Sequence, residues 1–330
     1  MSDVGRTLWL AERRNGVGAS DVAGILGLSP WSSPYSVWAD KVFGLGDDRD
    51  TAAMSFGRRA EPMIAAWFHE LTGLYVAGEQ TRVHDVEHPW RFCTLDGKVY
   101  ETPDNEDGEF LAAVGAFVED DALGLLQIKT TSATPKEWED GIPVMYQCQE
   151  QYEMAVTGAK RVYLAVLHLA FGRPDLKVYE LARDQTDIDL IVKAVDTFWH
   201  DHVIPGVPPE TDAHQATTYA TKHLPASVGD MTEVSDEVKR TLLDIADLKE
   251  SRKGIDELLD QLENRVRSAL GDCTEGYHGG HLVVSHREQS KRYIDETAFR
   301  GSMPATAAKF TAETRYRVLR QHKPKKRKKQ

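Results

Sequence analysis

The chain has 330 residues, 41% apolar and 28% charged, with a formal net charge of −12 at pH 7. That is ordinary for a globular protein and long enough for one large domain with an appendage. The acidic balance argues against broad, non-specific nucleic-acid binding, although a local basic channel would survive it.

No run of about 18 apolar residues occurs, so no membrane-spanning helix is expected. The N-terminus, MSDVGRTLWLAERR, lacks the apolar stretch of a secretory signal. Three dispersed cysteines, Cys93, Cys148 and Cys273, point to a reducing cytoplasm and argue against a disulfide frame or a four-cysteine metal or iron–sulfur centre.

In chain order, Ser20 is read as the cap of a short helix ending at Gly27. Ser33 and Pro34 open a second helix, with Trp31, Tyr35 and Trp38 read as core. A longer helix is expected from about Ser55 to Leu71, stopping at Gly73, with Ile64, Trp67, Phe68 and Leu71 at helical spacing. Leu74 to Ala77 reads as a strand. Trp90 to Leu95 and Lys98 to Tyr100 flank the turn signal Asp96-Gly97. Ala116 to Glu119 and Leu123 to Thr130 flank Asp120-Asp121, a second hairpin signal. A helix from Val144 to Val156, strands from Arg161 to Leu169 and Leu176 to Leu181, and a helix capped by Asp184 complete a mixed α/β unit over residues 1–204.

Residues 205–234 are rich in Pro and Gly and read as a linker. Residues 235–319 read as a long amphipathic helix to about Leu270, a hairpin, a short helix around Asp295 and Phe299, and a strand-like Tyr316 to Leu319. The last eleven residues, 320–330, hold seven Lys or Arg and no acid; they read as a disordered basic tail.

One arrangement carries chemistry. Phosphodiester hydrolysis needs a divalent cation on hard oxygen ligands, an activated water and a cationic group for the developing charge. An Asp on one strand and an acid-x-Lys on the next supply these compactly, because the strand period of two puts both members of acid-x-Lys on one face. FCTLDG holds Asp96, and QIKTT holds Gln127 and Lys129. Alone, this pair is weak. His200 and His202, two apart on a helix, do not form a zinc pair.

The neighbouring segments add weight. RRNGVGASDVAGILGLSPWSSPYSVW, SFGRRAEPMIAAWFHELTG, FCTLDG, QIKTT and YQCQEQYEMAVTGAKRVYLAVL stand in the order found in the YqaJ-like and lambda-exonuclease family of phage recombination nucleases, and the chain resembles that family over roughly residues 12–168. The resemblance implies a restriction-endonuclease-like α/β core with a C-terminal helical arm, and the PD-(D/E)XK class of site. Asp96, Gln127, the Ile128 carbonyl and Glu61 would hold Mg²⁺, with Mn²⁺ as a substitute. Lys129 would assist the water, Gln149 would orient the site or the strand, and Gln151 would lie at the DNA. Arg13, Arg14 and Ser20 would receive a 5′-phosphate, and an Arg beside a helix start suits an anion on physical grounds as well.

It further implies 5′-to-3′ degradation of double-stranded DNA ends, a ring-shaped homo-oligomer, a single-strand annealing protein as partner, and the cytoplasm of a bacterial host. The departure is Gln127, where the family has Glu. An amide oxygen ligates without charge. That leaves three readings open: an active enzyme with weaker metal affinity, a deliberate Glu→Gln exchange that traps DNA, or a DNA-end-binding relative without catalysis.

Overall fold

The computed structural model describes residues 12–46, 51–78, 80–101, 122–132, 138–169, 174–225 and 231–319. The expected strand Ala116 to Glu119 and the basic tail lie outside these residues. The chain divides into two units, Met1–Pro225 and Ala226–Gln330.

The first unit is mixed α/β. Its opening elements are β1 (Val17–Gly18), α1 (Ala19–Ile25), α2 (Pro34–Phe43) and α3 (Ala52–Thr72). Gly18, not Ser20, is the residue before α1, and the Asp21 carboxylate accepts its N–H at 3.0 Å. Ser33 caps α2 as expected, and Gly73 ends α3 with φ 71°. In that left-handed conformation glycine meets no Cβ penalty.

Four short strands follow: β2 (Tyr75–Ala77), β3 (Thr81–His84), β4 (Arg91–Leu95) and β5 (Gly97–Tyr100). Next come β6 (Gly124–Thr131), α4 (Val144–Thr157), β7 (Arg161–His168), β8 (Asp175–Ala182) and α5 (Gln185–Phe198), which runs into a π-helical turn at Trp199–Val203. Strands β2-β5-β6-β7-β8 form a five-stranded sheet; β1-β4-β3 form a second, smaller one. Within the larger sheet β6 and β7 are parallel and the other pairs antiparallel.

The Asp96-Gly97 turn therefore does not make a hairpin. β4 pairs with β1 and β3, and β5 pairs with β2 and β6. A two-residue hairpin loop would pair its flanking strands; a one-residue link cannot.

Alternation along β6 assigns its two faces. Leu126 and Ile128 join Ala60, Ile64 and Phe68 of α3 in one apolar cluster. Leu125 joins Tyr152, Met154 and Val156 of α4 in another. Gln127 and Lys129 alternate with the first group, so they look toward α4.

Residues 205–234, read as linker, contain helix α6 (Gln215–His223), whose buried Thr217 hydroxyl lies 2.7 Å from Ser33 Oγ. Tyr35 and Trp38 are core, but Trp31 is 69% exposed.

The second unit holds α7 (Asp236–Leu270), the hairpin β9 (Glu275–His278) and β10 (His281–Ser285), and helices α8 (Glu296–Ser302) and α9 (Pro304–Lys309). Ser235 caps α7 and Asp295 caps α8. No residue of α7 is buried, and the stripe Leu248, Ile255, Leu259, Leu262 and Val266 is exposed. Tyr316 to Leu319 forms no strand. Among the described residues no strand pairs with it, so its backbone groups gain nothing from extension.

Candidate active site

Asp96 is the single residue between β4 and β5. Its neighbours are fixed on both sides: Leu95 opposite Thr81, and Gly97 opposite Leu126. That brings the carboxylate to the edge of β6, where Oδ2 accepts the Ile128 N–H at 2.8 Å. Pairing of β5 with β6 ends at Gly97 and Leu126. A strand residue turns its N–H and C=O to the same edge, so the Ile128 carbonyl is directed to the same side as Asp96. Burial raises the Asp96 pKa; the Lys129 charge and the Ile128 N–H oppose this without cancelling it.

Lys129 reaches across to α4. Its Nζ donates to Gln149 Oε1 at 3.2 Å and sits 5.5 Å above the centre of the Tyr146 ring. Gln149 Nε2 in turn donates to Glu153 Oε1 at 3.0 Å. These α4 residues follow the helical period: Tyr146, Gln149 and Glu153 stand three and four apart and share a face. Gln127, two residues before Lys129 on β6, is 5% exposed, and its Oε1 has no hydrogen-bond partner.

Sequence reasoning missed two members. Glu150 and Glu153 are 0% and 1% exposed. Both oxygens of Glu150 and Oε2 of Glu153 have no hydrogen-bond partner. Burial raises the pKa of both. For Glu150 the Glu153 and Asp96 charges add to the rise and Lys129 opposes it; for Glu153 the bond from Gln149 and the Lys129 charge oppose it. The signal available was spacing: Glu153 is one turn beyond Gln149. Buried Cys93 on β4 feels the same surroundings, and burial plus the Glu153 and Glu150 charges push its thiol pKa up.

Other expected residues stand elsewhere. Glu61 on α3 accepts from Gln80 Nε2 at 3.0 Å. Among the described residues no group of three or more His, Cys, Asp or Glu is placed to hold a metal ion. Gln151 is turned inward, contrary to its expected place at DNA. Its Nε2 donates to the Ala182 carbonyl at 2.9 Å and its Oε1 accepts the Asp184 N–H at 3.0 Å, bracing the β8–α5 junction. At 2% exposed, Gln151 presents almost no surface to a ligand.

Arg13 and Ser20 do meet, with Arg13 Nη2 3.3 Å from Ser20 Oγ, and both line a cavity of about 500 Å³ with Trp31 and Tyr219. Arg13 also pairs with Asp21 at 2.6 Å, as does the buried Lys41. Burial pushes the Asp21 carboxyl up, but Arg13 and Lys41 outweigh it and hold the group well below the usual carboxylate range. Arg14 lies 3.8 Å from Asp40, apart from this pair.

The donor set at the Asp96 corner is chemically suited to a hard divalent cation. It consists of a carboxylate and a carbonyl directed to the same side; the unpartnered Gln127 amide oxygen, one residue before Ile128 on β6, would be a further oxygen donor. The set is poor in charge, since Gln127 brings none.

Residues 8–160 match the family model described as YqaJ-like viral recombinase domain. An uncharacterized protein, YqaJ of Bacillus subtilis (strain 168), is 29% identical over 332 residues, covering 96% of this chain and 94% of that protein. Among solved structures, an alkaline exonuclease (LHK-Exo) from Laribacter hongkongensis matches with TM-score 0.45 and 21% identity, over 61% of this chain and 94% of that one. A phage-related exonuclease from Haemophilus somnus 129PT matches with TM-score 0.42 and 13% identity, over 58% and 96%. The segment that carries the Asp96 corner and α4 thus lies within the residues, 8–160, that are similar to the YqaJ-like viral recombinase domain, and the likeness to YqaJ extends over most of the chain.

Proposed function

We propose that this chain is a divalent-metal-dependent exonuclease that resects double-stranded DNA ends in recombination, working 5′ to 3′ with Mg²⁺. The observation that carries the reading is the Asp96 corner: an aspartate bonded to the backbone of β6 within the field of Lys129. The restriction-endonuclease-like fold, the ring oligomer and a single-strand annealing partner come with the family resemblance. Residues 1–204 would form the nuclease core and 235–319 an arm.

In this reading Asp96, the Ile128 carbonyl and Gln127 hold the cation; Glu61 on α3, bonded to Gln80, is not brought to it. When bound, the cation lowers the pKa of a water and polarises the phosphoryl oxygen. Lys129, oriented by Gln149, faces the scissile phosphate and offsets its developing charge. Arg13 and Ser20 receive the terminal 5′-phosphate, with part of the Arg13 charge already committed to Asp21.

The test is degradation of 5′-phosphorylated linear duplex with Mg²⁺. Lys129→Ala is expected to lose about 10²- to 10⁴-fold in rate, the range for removing a positioned proton-transfer or charge-stabilising group. Equal degradation by both proteins would refute the assignment. A second reading, a weakened or inactive DNA-end-binding protein, is favoured by the neutral Gln127. It expects end binding without product in wild type and cleavage gained in Gln127→Glu.

A further inference from the structure

We propose that Glu153, backed by Glu150, supplies from α4 the anionic charge of the cation site that the amide at position 127 leaves out. The inference rests on the metal-nuclease reading above.

Four buried oxygens on facing elements lack a hydrogen-bond partner: Gln127 Oε1, both oxygens of Glu150 and Glu153 Oε2. Native proteins leave few such atoms, and a group of them calls for a partner such as a proton, a water or an ion. Gln127 looks from β6 toward α4, and Glu153 is wired back to β6 through Gln149 and Lys129. The two side chains therefore approach one interface from opposite walls. Chemically they are complementary: a neutral amide where strand geometry would place the acid, and an acid on the helix opposite.

Charge points the same way. Among the described residues Lys129 is the cation that acts on Asp96, Glu150 and Glu153 alike. One ammonium cannot neutralise three carboxylates in a water-poor interior. Either protons or a cation must make up the difference. A divalent cation at the Asp96 corner balances the set and gives Gln127 Oε1 a partner. In this arrangement the acid is moved across the β6–α4 interface rather than lost.

The experiment is calorimetric titration of Mn²⁺ into the full metal-stripped chain, with circular-dichroism melting of each variant. Glu153→Gln is expected to weaken Mn²⁺ binding about tenfold or more, because ligand charge sets affinity at such sites. Gln127→Glu in the Glu153→Gln background restores the charge from the other wall and is expected to return affinity to within about threefold of wild type. A folded Glu153→Gln chain that binds as wild type overturns the inference, as does a double variant no tighter than Glu153→Gln. If Glu153→Gln does not fold, Glu150→Gln takes its place, with the same expected loss and the same rescue by Gln127→Glu. Unchanged binding in that variant is equally fatal. Wild type that takes up no Mn²⁺ would overturn the metal-nuclease reading as well, whereas unchanged variants beside a binding wild type overturn this inference alone.

Discussion

Helices α3 and α4 pack on opposite faces of β6, and the contrast between the two interfaces separates scaffold from chemistry. On the α3 side Ala60, Ile64 and Phe68 meet Leu126 and Ile128, apolar against apolar. On the α4 side Gln127, Lys129, Gln149, Glu150 and Glu153 interrupt an otherwise apolar contact, and four of their oxygens have no partner. Dispersion and water exclusion stabilise the first face. The second gives up part of that gain to keep polar atoms dry and unpaired, which costs roughly 1–3 kcal/mol per group. An interface maintained against its own stability is where a ligand is expected to act.

The largest test of the contrast is on the apolar side. Phe68→Ala empties a fully buried site and is expected to cost about 3–5 kcal/mol. In chemical denaturation the loss should appear as a lower midpoint, while Mn²⁺ affinity of the folded fraction is unchanged. An equal loss of cation binding would mean the two faces are not separable.

On the polar side the sign reverses. Glu150→Met replaces an unpartnered buried carboxyl with an apolar chain of similar length. It should stabilise the metal-free protein by about 1–3 kcal/mol, the range for relieving a buried polar group. A rise in melting temperature of a few degrees checks this. A fall would show that Glu150 has a stabilising partner after all.

Asp21 is the buried acid that is satisfied, and it sharpens the comparison through pH. Its folded pKa lies below its unfolded value, held there by Arg13 and Lys41 against burial. Such a group adds stability that is complete above the unfolded pKa, near 4, and disappears as pH falls through the folded value. Asp21→Asn should therefore be less stable than wild type at pH 7, with the two stabilities converging as pH is lowered below about 4. Denaturant midpoints from pH 7 to pH 2 would show it; parallel curves would break the assignment.

Most of the frame was legible in the residues. Ser33-Pro34 and Gly73 mark helix ends by chemistry that acts locally, and the structure uses both as caps. The Asp96–β6 meeting is expected from the family resemblance, since the pair alone is weak, and the structure brings Asp96 to the Ile128 N–H. What failed depended on distant partners. β1 is two residues long and exists only because Val17 and Gly18 lie beside Arg91 and Phe92. The Asp96-Gly97 turn reads as a hairpin until one knows that its strands enter different sheets. Glu150, Gln151 and Glu153 look like ordinary helix polars, and only the packing distinguishes an inward brace from an unpartnered carboxyl. Helix α6 hid within a Pro- and Gly-rich stretch because its reason to fold is the Ser33–Thr217 contact, 184 residues away.

The position of Asp96 has one more consequence. With its preceding residue clamped in one sheet and its following residue in the other, this aspartate works as a joint between two plates. A small slide of one plate over the other would swing the carboxylate along β6 without breaking either ladder. Substitutions buried far back along β4, around Cys93, should then shift the Asp96 corner long before they loosen the fold, so that sensitivity to mutation follows the plate and not the distance.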